Sequence, residues 1–143
     1  MEFELTTSPT AEDSKTISQG LIDFNHAMVT DLEPQDAAIE FSIFARDKDQ
    51  TIIGGLRATC FWNTLHLELV WVSDQARGNG LGTMMVEKAE QFALQNGFEQ
   101  ALLESTDWQA KSFYEKLGYE LIATIPNYPK GHACHFLTKK LTI

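Results

Sequence analysis

The sequence predicts an α/β fold: a mixed, mostly antiparallel twisted sheet with a central parallel βαβ unit and helices on both faces. Three observations carry this. Residues 38–72 alternate apolar and polar side chains through three short runs split by turn signals, which is the pattern of an antiparallel meander. Residues 81–95 switch to a helical period between two strand-like runs, as a parallel crossover does. Two further alternating runs then close the chain. At 143 residues the chain is read as one domain, residues 1–143, large enough to bury a core without metal or disulfide staples.

Taken in order, the first dozen residues are polar and expected to fray. Residues 14–30 space Ile17, Leu21, Phe24 and Met28 on a helical stripe, ended by Glu33-Pro34. Ile39, Phe41, Ile43 and Ala45 mark the first strand, and Asp47-Lys48-Asp49-Gln50 its turn. Thr51 to Trp62 is the partner strand, and Asn63-Thr64 turns into a third, Leu65 to Val72. A helix over 81–95 carries Leu81, Met84, Met85, Ala89, Phe92 and Ala93 on one stripe, with Gly97 as its stop. A strand over Gln100 to Ser105 follows. A second helix is expected from a Thr106-Asp107 cap, with Ala110, Phe113, Tyr114 and Leu117 as its apolar stripe and Gly118 as its stop. Strands over Tyr119–Ile125 and Ala133–Lys139 flank the loop 126–131.

Apolar residues make up 43% and charged residues 22%, which excludes collagen-like, disordered and disulfide-scaffold classes. No apolar run approaches the roughly 18 residues of a membrane span. Met1-Glu2-Phe3-Glu4 lacks the basic and apolar regions of a secretion signal, so a cytoplasmic protein with no membrane contact is expected. Cys60 and Cys134 are read as reduced thiols, consistent with that compartment. The net charge of −9 argues against nucleic acid as a partner. Residues 1–50 hold eleven acids and three bases, whereas residues 51–143 hold nine and eight. An acidic N-terminal third draws cations, or simply keeps the surface solvated.

The segment Arg77-Gly78-Asn79-Gly80-Leu81-Gly82-Thr83 lies between a strand and a helix start. Glycines there let backbone N–H groups approach an anion, and the helix dipole adds favourable potential. A dinucleotide fingerprint beginning at Gly78 would need glycine at 83, which is Thr83, and no Gly-Lys-Ser/Thr run completes a P-loop. The pattern Arg-x-x-Gly-x-Gly that does fit resembles the acetyl-CoA pyrophosphate loop of the GCN5-related N-acetyltransferase (GNAT) superfamily. Ala110-x-x-Phe113-Tyr114-Glu115-Lys116-Leu117-Gly118-Tyr119 resembles the same superfamily's C-terminal motif. The two motifs cover residues 65–120. Tyr128-Pro129-Lys130-Gly131-His132 is similar to a segment of its small, stand-alone bacterial members.

That resemblance implies the GNAT fold, acetyl-CoA as co-substrate and no metal. It implies that the backbone of Val70, Trp71 and Val72 pairs with the pantetheine amides. It also implies that amides from Gly78 through Asn79, Gly80, Leu81 and Gly82 to Thr83 take the pyrophosphate, with Arg77 as the nearby cation. Tyr114 matches the tyrosine that protonates the departing thiolate. Asp107 stands where the family often has an asparagine that contacts the pantetheine arm; a carboxylate lacks the amide donor and could equally be a helix cap. For the base, strict alternation puts His66, Glu68, Val70 and Val72 on one face and Leu65, Leu67, Leu69 and Trp71 on the other. His66 and Glu68 both align with positions where relatives carry a water-linked base, and the choice between them stays open.

His132, Cys134 and His135 lie close in sequence, but strand alternation divides them and no fourth ligand has metal-site spacing. The expected reaction is direct acetyl transfer, in a ternary complex, to a primary amine of a small molecule or a protein lysine. A non-catalytic CoA-binding regulatory module is the alternative, and a toxin-like protein acting on aminoacyl-tRNA is disfavoured by the charge. A homodimer is a possible assembly that the sequence leaves open.

Overall fold

The computed structural model describes residues 1–142 and divides into two compact units, Met1–Gln35 and the chain from Asp36 onward. The first unit is built around helix α1, Ala11–Met28. The Thr10 side chain caps it by accepting from Asp13 N at 3.1 Å, and Glu12 and Asp13 lie in its first turn, where the dipole favours acids. The helix therefore starts inside the segment expected to fray.

The second unit is a six-stranded sheet in the order β1-β2-β3-β4-β6-β5. Strands β1 (Ile39–Arg46), β2 (Ile52–Phe61) and β3 (Thr64–Val72) form the antiparallel meander. Helix α2 (Leu81–Gln95) crosses to β4 (Gln100–Thr106), which pairs parallel with β3. Helix α3 (Lys111–Lys116) precedes β5 (Glu120–Pro126) and β6 (Ala133–Lys140). The last strand inserts antiparallel between β4 and β5. The mixed, mostly antiparallel sheet with one parallel pair matches the class the sequence predicts.

The core forms where α2 lies on the sheet. Leu56, Ala58 and Cys60 of β2, Leu65 and Leu67 of β3, Ala101 and Leu103 of β4 and Leu137 of β6 meet Met85, Val86, Ala89 and Ala93 of α2. Val86, not Met84, completes the helix stripe; Met84 is 54% exposed. Gly97 and Gly118 end α2 and α3 as the sequence predicts, with Phe98 N bonding back to Ala93 O and Tyr119 N to Tyr114 O, each at 3.0 Å.

Two expectations are corrected. Helix α3 begins at Lys111, and neither Thr106 nor Asp107 caps it. Thr106 ends β4, residues 107–109 make a turn closed by Gln109 N on Thr106 O, and the Asp107 carboxylate bonds elsewhere. The alternation on β3 also breaks. Arg57 faces Leu69 and Ala58 faces Leu67, which leaves Glu68 as an extra, bulged residue. The phase flips there: Leu65 and Leu67 point to the core before the bulge, and Val70 and Val72 after it. Leu69 and Trp71 are left 56% and 52% exposed. His66 and Glu68 therefore do not share a face with Val70 and Val72. Among the described residues no helix is long and apolar enough to cross a membrane.

Candidate active site

The bulge shapes the site. Strands β3 and β4 pair only from Thr64↔Gln100 to Leu67↔Leu103; beyond Leu67 they part. An extra residue bends and twists its strand, so a bulge at Glu68 accounts for the fork. On its far edge Val70–Val72 still pairs with β2, through Leu56↔Val70 and Gly54↔Val72. Its near edge, towards β4, has no strand partner among the described residues. It therefore presents backbone donors and acceptors to whatever enters.

The start of α2 lies beside this edge. Gly80 is its N-cap at φ +73°, a left-handed conformation costly for any residue with a Cβ, and it offers no capping side chain. The first turn carries no acid either. The amides opening the helix thus lack the usual internal partners, and the local potential is positive. Gly82 serves packing: a Cβ there would sit 3.2 Å from Phe113 Cζ and 3.8 Å from Val72 Cγ2. Its absence lets α3 close on the helix start. Arg77 is held at the loop by its Nε, which donates to Val72 O at 3.2 Å, and by an exposed ion pair to Asp74 at 2.9 Å. Asn79 Nδ2 ties the loop to Ala76 O at 3.3 Å.

A cleft of about 810 Å³ fills the fork. Val70, Trp71 and Val72, the loop from Arg77 to Thr83 except Asn79, and Tyr114 all line it. Three lining residues had no role in the sequence reading: Ala76, Trp108 and Gln109. An exposed tryptophan just before the Ala110 motif is the signal that could have drawn notice. Tyr114 is 9% exposed, its ring edge-on to Phe113 and Tyr119 at 5.0 and 5.8 Å. Burial pushes its phenol up to about 12, and its hydroxyl has no hydrogen-bond partner among the described residues. The cleft thus holds a buried phenol that stays protonated at neutral pH.

His66 and Glu68 do not line this cleft. His66 lies opposite Leu102, where β3 and β4 are still paired, and stacks on the Phe61 ring at 4.2 Å. Burial lowers its pKa, partly offset by Glu68, so it is neutral at neutral pH. Glu68 stands at the fork. The Thr59 hydroxyl donates a short hydrogen bond to Oε1, and Arg57 Nε donates to Oε2 at 3.0 Å. These bonds, Thr59's first, hold its carboxyl below the ordinary value.

Asp107 is not among the residues that line the cleft, and its carboxylate bonds to the β5–β6 hairpin. Its Oδ1 meets His132 Nδ1 at 3.0 Å, and its Oδ2 accepts from Ala133 N at 3.1 Å. Among the described residues no group of three His, Cys, Asp or Glu side chains is arranged to hold a metal. Cys60 and Cys134 are both buried. Cys134 Sγ contacts Glu104 at 3.9 Å, and burial raises its pKa.

The model of the acetyltransferase (GNAT) family matches residues 10–119. A blasticidin-S acetyltransferase of Streptomyces morookaense is 38% identical over 102 residues, covering 71% of this chain and 75% of the relative. An acetyltransferase of Agrobacterium fabrum is 26% identical over 98% of this chain and 99% of its own length. A crystal structure of an acetyltransferase from Bacillus cereus superposes with a TM-score of 0.85 at 29% identity, covering 96% of this chain and 98% of that one. With the family model matched across both motifs and a relative this similar, the chain belongs to the acetyltransferase (GNAT) family.

Proposed function

We propose that the chain transfers acetyl from acetyl-CoA to the primary amine of a cationic small molecule by direct attack in a ternary complex. The observation that carries this is the fork: an open strand edge, an uncapped helix start and a buried phenol line one cleft. An acyl-pantetheine arm carries amides that suit the free edge of Val70–Val72. Its pyrophosphate suits the amides from Gly78 to Thr83, with Arg77 as counter-charge. Asn79 braces that loop and Asp107 the turn opposite. When bound, acetyl-CoA supplies the activated acetyl group; the chain supplies position and protons.

In this reading the Tyr114 hydroxyl hands its proton to the departing sulfur. Glu68, ionised and at the point where the strands part, draws and orients the acceptor ammonium. His66 beside it stays neutral and accepts a hydrogen bond without repelling that cation. The acidic balance of residues 1–50 and the blasticidin-S acetyltransferase relative both support a cationic small molecule over a protein lysine.

The test is thiol release from acetyl-CoA against blasticidin S, spermidine, free amino acids and a lysine peptide. Release dependent on the small cations is expected. Release driven best by the peptide would replace the acceptor class. Binding of acetyl-CoA with no release under any acceptor would favour a regulatory CoA-binding module.

A further inference from the structure

The hairpin Tyr128-Pro129-Lys130-Gly131-His132 has no part in the chemistry described so far, yet it is tightly built. Asn127 and Gly131 take left-handed conformations at φ +56° and +83°. Asn127 Oδ1 accepts from Gly131 N at 2.9 Å, and Pro129 O accepts from His132 N at 2.8 Å. These bonds fix the backbone that carries the His132 ring. Asp107 then fixes the ring itself through Nδ1, while Ala133 N holds the second carboxylate oxygen in place. A carboxylate only accepts, so the hydrogen between them resides on Nδ1. In the neutral ring the lone pair is therefore on Nε2, which has no hydrogen-bond partner among the described residues. The side chain is about half exposed, at 49%. Its ring makes a T-shaped contact with Trp108 at 4.8 Å, and Trp108 lines the cleft.

We propose that the Asp107–His132 pair is the proton acceptor for the attacking amine. A base oriented by a carboxylate through its far nitrogen is the arrangement that proton abstraction calls for. Thr59 and Arg57 hold Glu68 in its ionised form, which suits it to attracting the ammonium rather than taking its proton, and His66 lies flat on Phe61 with no carboxylate fixing its tautomer. The step balances simply. Nε2 takes one proton from the ammonium, and the freed nitrogen lone pair forms the C–N bond at the thioester carbon. The C–S bond breaks as Tyr114 protonates the sulfur, the surplus proton left on the nitrogen passes to the Tyr114 oxygen to give the neutral amide and restore the phenol, and the imidazolium later returns its proton to solvent. Aspartate at 107, where the resembled pattern often has asparagine, supplies the negative charge that stabilises the imidazolium. Besides Asp107, the hairpin's own Lys130 is the charged group nearest in sequence to the ring.

This inference rests on the acetyl-transfer reading, and the test separates the two. His132→Asn keeps an amide donor for Asp107 but removes Nε2. With blasticidin S as acceptor, kcat/KM should fall on the order of 100-fold at neutral pH with the acetyl-CoA KM unchanged. The deficit should shrink as pH rises and the acceptor becomes a free amine. Imidazole in solution should restore part of the activity of His132→Ala. Asp107→Asn should show a smaller loss of the same pH dependence. A His132→Asn variant with wild-type rates would overturn the assignment, and so would an equal loss at every pH without imidazole rescue. If the unmodified chain binds acetyl-CoA but acetylates no amine, the acetyl-transfer reading itself fails, and this inference with it.

Discussion

Removing the Tyr114 hydroxyl tests the proposed proton transfer with little effect on folding. The ring packs against Phe113 and Tyr119, and Tyr114→Phe keeps that packing. The hydroxyl bonds no group among the described residues, so no partner is orphaned there and thermal stability should move by less than about 0.5 kcal/mol. With a phenol pushed up to about 12, about one molecule in 10⁴ is ionised at pH 8, so the proton is present throughout the working range. A positioned proton donor contributes about 10²–10⁴-fold, and a thiolate, a weak base, needs the low end. Steady-state kinetics should show kcat reduced on the order of 100-fold, with acetyl-CoA affinity by calorimetry unchanged. A kcat within about twofold of wild type, at unchanged stability, would refute the role and leave Tyr114 as core.

Three further outcomes follow from the same geometry. Arg77→Ala breaks an exposed pair with Asp74, so stability should hold within about 0.5 kcal/mol, while acetyl-CoA binding weakens roughly tenfold and acetyl-pantetheine binding does not change; equal losses for both ligands would remove Arg77 from the pyrophosphate site. Gly82→Ala sets a methyl 3.2 Å from Phe113 Cζ, so unfolding should come about 1–2 kcal/mol earlier and acetyl-CoA affinity should fall with it. If neither moves, the close approach of α3 to the helix start does not matter. Tyr114 and Tyr119 are both raised, mainly by burial, so the folded state holds phenol protons that the unfolded chain loses first. Stability should be full below pH 10.0 and fall as pH rises to about 12, by about 3 kcal/mol through Tyr114 alone; a flat profile in alkaline denaturation would contradict this.

Much of the fold was legible because its signals are local. Alternation marks β1 to β3, helical period marks α2, and the stops at Gly97 and Gly118 are single residues with one conformational meaning. The glycine-rich loop was legible for the same reason, since Gly78 and Gly80 mark the left-handed turn into α2. What escaped was set by partners distant in sequence. The bulge at Glu68 is one residue too many against β2, and it bears no mark in β3 itself; the error it caused moved every side chain after it to the other face. Asp107 follows a threonine and precedes an apolar stripe, which reads as a cap. Two bonds from His132 and Ala133, some 25 residues later, claim the carboxylate instead. The insertion of β6 between β4 and β5 is likewise a matter of pairing, which alternation alone cannot order.

The central claim is that this chain moves an acetyl group from acetyl-CoA onto a small cationic amine. It is tested most directly by mass spectrometry of blasticidin S incubated with the chain and acetyl-CoA. The account predicts a product heavier by one acetyl group, formed only when all three are present and slowed by Tyr114→Phe. Blasticidin S and the other small cations recovered unchanged, while acetyl-CoA binds in the cleft, would contradict it.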